Sequence, residues 1–319
     1  MSFRILGTGK CVPSYVMTND EMATIVDTSD EWIRTRSGIR ERRVCTTESL
    51  SDLTIEASKL ALEDAGVSPE ELDLIICATF RGEYCSPAQA CIVQKRIGAN
   101  CPAFDVNAAC SGFIYSLDIA AGFFVRKTVK KVLVVAADNV TNSVDWEDRS
   151  TCVLFGDGAG AAVLKAEETG VVDMLMGSDG TKGPILSCTS RTLGNFLTGT
   201  RPELGLMTMD GQEVFRFAVK KVPESIEILL ERNHISREEI KYYVLHQANE
   251  RIVEAAARRL KEPMEKFPMT ISKYGNTSSA SIPLLLNDMA EKNMLQPGDK
   301  IILSGFGAGM TWGAVLMEW

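Results

Sequence analysis

The sequence predicts an α/β fold that is built from two duplicated halves. Continuous apolar runs at 73–79 (DLIICAT) and 131–136 (KVLVVA) are typical of strands buried on both faces, and helical segments separate them. Strands that alternate with helices indicate mainly parallel sheets covered by helices. The length of 319 residues suits two packed halves or one large α/β domain.

Internal repeats support the two halves, because four pairs of segments match in the same order along the chain. The pairs are 67–72 with 235–240, 107–110 with 276–279, 130–138 with 298–306, and 156–160 with 305–309. Generic strand and turn sequences of α/β proteins would explain one such pair but not four in the same order. We therefore predict an N-terminal half of residues 1–170 and a C-terminal half of residues 171–319.

Three segments have informative local patterns. Residues 52–65 are amphipathic and follow Ser51, a plausible N-cap, which predicts a helix. Residues 111–126 are apolar on nearly every side, which predicts a buried central helix. Residues 177–210 are rich in Gly and Thr and lack periodicity, so we expect a loop region inserted over the functional site.

Composition disfavours several classes of function. Asp and Glu (42) outnumber Lys and Arg (34), and the resulting charge of −8 disfavours nucleic acid as a partner. The nine cysteines include no CxxC pair, so they indicate no metal site or disulfide framework and fit a reducing cytoplasm. The N-terminus lacks an apolar signal region, and no apolar run approaches the ~20 residues of a membrane span. We expect a cytoplasmic protein without membrane insertion.

A cysteine is the first candidate for chemistry. Cys110 lies between the short apolar segment CPAFDVNAA and the predicted buried helix, so its sulfur falls at a helix N-terminus. Backbone N–H groups and the helix dipole there favour thiolate, which predicts a lowered thiol pKa and a nucleophile. Inert packing is the alternative, because free cysteine is among the most buried residue types.

The chain has only two histidines, and one of them, His246, ends a predicted buried strand before a helix that Asn249 could cap. Asn276 lies in a turn before the last long helix. Each alone is more often structural than functional. In the repeat, however, the turns that hold Cys110 and Asn276 are equivalent, and two-fold related halves bring such helix N-termini together. A thiol, an imidazole and an amide are therefore expected to converge.

Two glycine-rich turns, 156–160 and 305–309, each precede a strand instead of opening a helix. The dinucleotide fingerprint requires strand, turn and helix, so this pattern disfavours a Rossmann site. No GxxxxGK[ST] motif is present, which disfavours ATP use. The second turn could supply a backbone N–H to an oxyanion.

A basic helix face is the last local signal. Arg251, Arg258 and Arg259 lie on the predicted helix 249–262, and Arg216 adds charge elsewhere. In an acidic protein such a face could dock an acidic partner, although a solvated helix face is the alternative.

Five motifs together resemble the 3-oxoacyl-(acyl-carrier-protein) synthase III family. They are NAACSGF around Cys110, HQAN around His246, YGNTSSASIP around Asn276, FGDGAGA and GFGAGMTWG. The resemblance extends from ILGTGKCVP near the N-terminus to the last strand. It implies a thiolase-like αβαβα sandwich, in agreement with the duplication, and a homodimer.

The resemblance also implies a reaction. Cys110 would take an acyl group from an acyl-CoA, with the N–H groups of Cys110 and Ala308 as the oxyanion hole. His246, as a neutral donor, and Asn276 would bind the thioester carbonyl of malonyl-(acyl-carrier protein) while it loses CO2. The resulting carbanion would attack the acyl-cysteine. Coenzyme A is part of a substrate here, so no cofactor or metal is expected, and the carrier protein is the expected partner.

Further positions match family contacts. The residues implied for coenzyme A are Thr28, Trp32, Arg36, Ser37, Arg149, Gly211 and Asn249. Those implied for the acyl pocket are Ser86, Leu154, Met209, Phe215 and Phe306. Carrier-protein docking is implied for Arg216, Arg251, Arg258 and Arg259.

Two positions depart from the family pattern. Ala308 stands where glycine is common in the oxyanion turn, and its N–H is retained if φ is negative. Ser86 stands where members with short primers often carry a bulky aromatic residue that reaches across the dimer interface. We therefore expect a primer pocket that accepts chains longer or more branched than acetyl.

Three other functions remain open from the sequence. A Cys-His-Asn thioester hydrolase uses the same residue types in the same order. A non-catalytic subunit of the same fold has no reason to keep all three residues. A priming ketosynthase of a secondary-metabolite pathway would share the whole pattern.

Overall fold

The computed structural model describes residues 2–319, so the first residue of the predicted N-terminal half lies outside the described residues. The strands are β1 (Ser2–Cys11), β2 (Val16–Thr18), β3 (Glu41–Arg43), β4 (Leu74–Ala78), β5 (Ala103–Val106), β6 (Lys131–Asp138), β7 (Gly158–Glu167), β8 (Val171–Ser178), β9 (Leu186–Cys188), β10 (Met207–Met209), β11 (Ile240–Leu245), β12 (Lys300–Gly307) and β13 (Thr311–Glu318). The helices are α1 (Asn19–Met22), α2 (Asp30–Ser37), α3 (Leu50–Ala65), α4 (Gln89–Ile97), α5 (Gly112–Val125), α6 (Gly211–Asn233), α7 (Glu250–Leu260), α8 (Ile271–Tyr274) and α9 (Ser281–Glu291).

Two mixed sheets organise the chain. The first has the order β1-β7-β6-β4-β5, with β4 parallel to both β5 and β6 and with β7 antiparallel to β1 and β6. The second has the order β11-β12-β13-β8, with β11 and β12 parallel and the other pairs antiparallel. All five strands of the first sheet precede residue 168, and all four strands of the second follow residue 170.

Helices cover both faces of each sheet and give five layers. Helices α5 and α9 lie between the two sheets, α3 and α4 cover the outer face of the first sheet, and α6 and α7 cover the outer face of the second. This arrangement confirms the αβαβα sandwich. It also explains the continuous apolar runs, because Leu74 and Ile76 of β4 face the central layer while Ile75 and Cys77 face the outer core.

The repeated sequences fold alike. Ser68 and Ser236 each form a capping box at the start of a 3-10 turn, over Pro69–Glu71 and Arg237–Glu239, which lead into β4 and β11. Short 3-10 turns over Ala109–Ser111 and Ser278–Ala280 precede the central helices. The division into halves 1–170 and 171–319 as separate structural units stays a prediction.

Two local predictions need correction. Helix α3 begins at Leu50 with Ser49 as N-cap, whose side chain accepts the Asp52 N–H, so the predicted cap Ser51 is wrong. Ser51 is instead buried in the first turn and bonds Glu83. The region 177–210 is not irregular throughout, because β9 and β10 pair within it, and Arg81 donates to the carbonyls of 189 and 205 at its base.

Among the described helices, none combines the length and apolar character that a membrane crossing requires.

Candidate active site

The three predicted catalytic residues lie in connecting segments. Cys110 lies between β5 and α5, His246 directly follows β11, and Asn276 lies between α8 and α9. The Sγ of Cys110 lies 3.5 Å from the hydroxyl of Ser278. Gly305 of β12 separates Cys110 from His246, because a side chain built on it would lie 3.7 Å from the Cys110 carbonyl and 3.6 Å from His246 Cβ. The structure therefore brings the thiol, the imidazole and the turn of Asn276 to one place.

The environment of Cys110 overturns one expectation. Burial raises the pKa of the Cys110 thiol to about 12, because the thiolate loses its hydration and Asp138 repels it, although the contact with Ser278 acts the other way. Local position at the start of a helix predicted a lowered pKa. The buried environment therefore shifts the thiol pKa in the direction opposite to the one expected from the helix N-terminus alone.

His246 is buried and fixed on several sides. Its backbone N–H donates to Ser304 of β12 at 2.8 Å, and its Nδ1 lies 2.5 Å from the hydroxyl of Ser281. The Phe306 ring meets the imidazole edge-on at 5.4 Å between centroids. Burial lowers the pKa of His246 to about 3, which agrees with the predicted neutral side chain.

Asn276 is oriented by its own turn. Its Oδ1 accepts the Ser278 N–H at 2.9 Å, while its backbone bonds Leu154 and Gly156 on the neighbouring segment. An oxygen must face that backbone donor, so the Nδ2 donor points away from the turn and is available to a ligand.

The 305–309 turn, the predicted oxyanion turn, lies directly against Cys110. A Cβ on Gly307 would come within 2.6 Å of the Cys110 nitrogen, so only glycine permits this approach of the two backbones. Within residues 2–319, no acceptor is bonded to the N–H of Ala308, and its φ does not lie in the left-handed region. Ala308 therefore retains its backbone N–H as a donor, as expected for a residue outside the left-handed region.

The residues expected at coenzyme A divide into two groups. Trp32 is flanked by two guanidinium groups, with Arg36 4.6 Å and Arg149 5.1 Å from its ring centroid. Asn249 caps α7 and donates to the Arg36 carbonyl at 2.9 Å, and exposed Gly211 begins α6. Arg36 therefore contacts both Trp32 and Asn249, and two guanidinium groups lie over the indole ring in this structure.

Two of the expected contacts are not presented to solvent. Ser37 is buried, and its hydroxyl donates to the Ile33 carbonyl inside α2, so its side chain is unavailable to coenzyme A. Thr28 also has a buried hydroxyl, which has no partner among the described residues. The resemblance gave the position of Ser37 but could not show which way its side chain faces.

The predicted acyl-pocket residues are only partly assembled. Phe306, Phe215 and Met209 pack in one cluster beside His246, and Leu154 borders the neighbouring cluster next to Asn276. Ser86 is exposed in the segment before α4. Nothing in a single chain covers Ser86, so its predicted role requires a second copy of the chain.

The basic patch spans two packed helices. Arg216 lies on α6, and Arg251, Arg258 and Arg259 lie on α7. Arg251 stacks 5.8 Å above Phe215, while the other three pair with the carboxylates of Glu213, Glu254 and Glu227. Exposed pairs of this kind contribute little to stability and can exchange for an acidic partner.

Sequence reasoning missed Asp138, the residue that joins the end of β4 to the turn that holds Asn276. This fully buried carboxylate at the end of β6 accepts from Thr79 Oγ1, Phe80 N, and both the N–H and the hydroxyl of Ser279. Desolvation raises its pKa, although these donors stabilise the charge. A charged residue that ends a continuous apolar strand was the available signal.

Comparisons with known proteins agree with this geometry. The family description "3-Oxoacyl-[acyl-carrier-protein (ACP)] synthase III" matches residues 104–180, and its C-terminal counterpart matches residues 230–319. The beta-ketoacyl-[acyl-carrier-protein] synthase III of Clostridium acetobutylicum is 45% identical over 100% of this chain and 99% of its own.

Two solved structures are also similar. The 3-oxoacyl-[acyl-carrier-protein] synthase III of Aquifex aeolicus has a TM-score of 0.93 at 43% identity and covers 100% of both chains. The priming beta-ketosynthase of the R1128 polyketide pathway has a TM-score of 0.91 at 34% identity, over 99% of this chain and 96% of its own. The chain therefore belongs to the 3-oxoacyl-(acyl-carrier-protein) synthase III family, an enzyme family of condensing acyltransferases, which confirms the resemblance found in the sequence.

Proposed function

We propose that this enzyme starts fatty-acid synthesis by condensing an acyl-CoA primer with malonyl-(acyl-carrier protein). The products are 3-oxoacyl-(acyl-carrier protein), CO2 and coenzyme A. The observation that carries this proposal is the convergence of one nucleophilic thiol with two separate sets of hydrogen-bond donors, the 307–308 turn on one side and His246 with Asn276 on the other.

In the first half-reaction, Cys110 Sγ attacks the thioester carbonyl of the acyl-CoA. The N–H groups of Cys110 and Ala308 stabilise the tetrahedral oxyanion, as preorganised backbone donors do in acyl transfer. The bond to the coenzyme A sulfur breaks, and the leaving thiolate takes up the proton that the cysteine gives up. The acyl group remains on Cys110.

In the second half-reaction, His246 Nε2–H and Asn276 Nδ2–H donate to the malonyl thioester carbonyl. The bond between the α-carbon and the carboxylate breaks, and CO2 leaves. The electron pair of that bond forms the enolate that these donors stabilise. The enolate carbon attacks the acyl carbonyl, and Cys110 leaves as thiolate and takes up one proton from solvent. Decarboxylation makes the carbanion without a strong base, which suits an imidazole that stays neutral.

The surroundings support the assignment of the partners. Trp32, Arg36 and Arg149 suit the adenine of coenzyme A, and the arginines of α6 and α7 suit an acidic carrier protein. Arg149 lies too close to Trp32 for a base to enter between them, so binding requires this arginine to swing outward.

A homodimer and a cytoplasmic location are part of the proposal. Strand β5 ends the first sheet with an unpaired edge, and Leu193, Phe196 and Leu197 are strongly exposed, so a second copy has both a strand and an apolar surface to cover. All nine cysteines are free, as in a reducing compartment. The expectation that no metal or other cofactor takes part also stays a proposal.

The primer is proposed to be longer or more branched than acetyl, because Ser86 leaves room where bulkier residues stand in relatives with short primers. We expect Ser86→Phe to narrow the accepted range to acetyl and propionyl. An unchanged chain-length profile would remove this part of the proposal while leaving the condensation intact.

The decisive experiment is the intact mass of the protein after mixing with acyl-CoAs from C2 to C12, linear and branched. We expect an acyl adduct on the wild type that malonyl-(acyl-carrier protein) discharges to 3-oxoacyl product, and no adduct on Cys110→Ala. Release of free acid without a lasting adduct would identify a thioester hydrolase instead.

A priming ketosynthase of a polyketide-type pathway is the second candidate, favoured by the likeness to the R1128 enzyme. Both functions use the same two half-reactions. The same mass experiment separates them through the carrier protein, because each pathway supplies its own, and the cognate one discharges the adduct faster.

A further inference from the structure

We propose that Ser281 is a positioning residue that holds the neutral His246 imidazole with its proton on Nε2. This inference rests on the proposed function, in which Nε2–H is a donor to the malonyl thioester. Ser281 is the first residue of α9, is buried, and belongs to the YGNTSSASIP segment, where sequence analysis assigned a role only to Asn276.

The direction of the hydrogen bond follows from the partners of the hydroxyl. Ser281 Oγ lies 2.5 Å from His246 Nδ1 and accepts the Gln247 N–H at 3.3 Å. A hydroxyl carries one proton, and in the described chain no other acceptor of that proton is bonded to Ser281. The hydroxyl therefore donates to Nδ1, and Nδ1 carries no proton.

The tautomer follows in turn. A neutral imidazole has one protonated nitrogen and one acceptor nitrogen, so a proton absent from Nδ1 resides on Nε2. The imidazole is buried, which favours its neutral form because an imidazolium there would lose its hydration. The Phe306 ring meets the imidazole and restricts its rotation.

Nuclear magnetic resonance of the intact enzyme labelled with [15N]histidine tests the tautomer directly. The chain has two histidines, so two imidazoles are observed. His234→Asn assigns them, since His234 is an exposed C-cap with a left-handed backbone that asparagine tolerates. We expect the His246 signals of an Nε2-protonated ring, without substrate. A proton on Nδ1 would overturn the inference whether or not any variant folds.

Ser281→Ala tests the consequence for catalysis. We expect the Nδ1 signal to move to that of an unbonded acceptor and malonyl decarboxylation to fall about 10-fold. Single-turnover acylation of Cys110 by acyl-CoA should stay within about twofold, because His246 does not donate in that step. Ser225→Ala is the matched control, since Ser225 is also a buried helical serine, bonded to the Lys221 carbonyl.

The outcomes separate this inference from the proposed function. Equal losses in both half-reactions with unchanged imidazole signals would reduce Ser281 to a structural residue and overturn its positioning role. A wild type that shows the Nε2 tautomer but decarboxylates no malonyl-(acyl-carrier protein) would overturn the proposed function and leave the Ser281–His246 bond supported.

Discussion

The turns 107–110 and 276–279 have the same backbone but different tasks. In each, an asparagine Oδ1 accepts the N–H two residues later, at 3.3 Å for Ala109 and 2.9 Å for Ser278. Those two residues share a left-handed backbone, with φ of 46° and 52°. The duplication predicted from sequence is therefore retained down to single dihedral angles.

The side chains differ at the first and last positions. The last residue of the first turn is Cys110, whose thiol has one hydrogen-bond partner within residues 2–319, the Ser278 hydroxyl at 3.5 Å. Its counterpart Ser279 donates both its N–H and its hydroxyl to buried Asp138. At the first position, the Nδ2 of Asn107 donates to the Phe80 carbonyl, whereas the Nδ2 of Asn276 has no acceptor within residues 2–319.

Under the proposed function, this comparison explains how duplication builds a site for a two-step reaction. One turn offers a reactive atom from its last position, and the other offers a donor from its first. The equivalent positions in the other turn form hydrogen bonds that stabilise the fold instead. Each turn is thus half structural and half functional, and substitutions at equivalent positions should have opposite consequences.

The largest expected effect comes from the first positions. Asn276→Ala should slow malonyl decarboxylation about 10²–10³-fold, because it removes a donor to the enolate. Asn107→Ala is the matched variant, since it removes the same turn acceptor without removing a substrate donor, and a change below about threefold is expected. Stopped-flow measurement of CO2 release gives both rates, and equal losses would refute the division of tasks.

The approach of the 305–309 turn to Cys110 gives the next effect. Gly307→Ala should reduce Cys110 acylation about 10²-fold, because a Cβ 2.6 Å from the Cys110 nitrogen displaces the nucleophile by a fraction of an ångström or more. Gly305→Ala is the control on the same strand, since its Cβ would lie 3.4–3.7 Å from Ile282, His246 and Cys110, at ordinary van der Waals distances. Rates of coenzyme A release measure both, and an unaffected Gly307→Ala would contradict the tight contact.

The last positions should separate activity from stability. Ser279→Ala should lower the free energy of unfolding by about 1–3 kcal/mol, because buried Asp138 loses a donor. Cys110→Ala should abolish the acyl adduct yet change the free energy of unfolding by less than about 1 kcal/mol. Urea titrations compare the two variants. A Cys110→Ala protein as destabilised as Ser279→Ala would show that both last positions are structural.

The smallest effect concerns pH. The pKa of His246 is lowered to about 3, so the imidazole is neutral at every pH above that value and is already in its donor form. Malonyl decarboxylation should therefore show no histidine limb between pH 5 and 8. Initial rates across this range, on enzyme shown by circular dichroism to stay folded, test the point. A rate that increases tenfold with each pH unit as the pH is raised towards 6 would mean that His246 has an ordinary histidine pKa.

Local sequence contained more than the element predictions used. The S-x-x-D spacing of Ser49 and Asp52 marks a capping box and would have placed the start of α3 correctly. The pairing of β9 with β10 was not predictable in this way, because each strand has three residues and too few positions for periodicity.

For the site, sequence and resemblance predicted three reacting groups but not the direction in which burial shifts the pKa of the Cys110 thiol. A helix N-terminus is a local feature and predicted an acidic thiol at Cys110, whereas burial by both halves decides the actual direction. The orientation of Ser37 and the bonding of Asp138 likewise depend on residues distant in sequence.

Sequence by itself determined the apolar strands, the repeat and the motifs that carry Cys110, His246 and Asn276, because these depend on patterns within short segments. Tertiary structure alone decided which hydrogen-bond donors are free and which are already bonded within the protein. Cys110 and Ser278, for example, are 168 residues apart in sequence and meet only when α5 and α9 pack between the two sheets. Packing sets hydration, and hydration sets the charge of the thiol and the imidazole. The reactive state is therefore a property of the assembled halves.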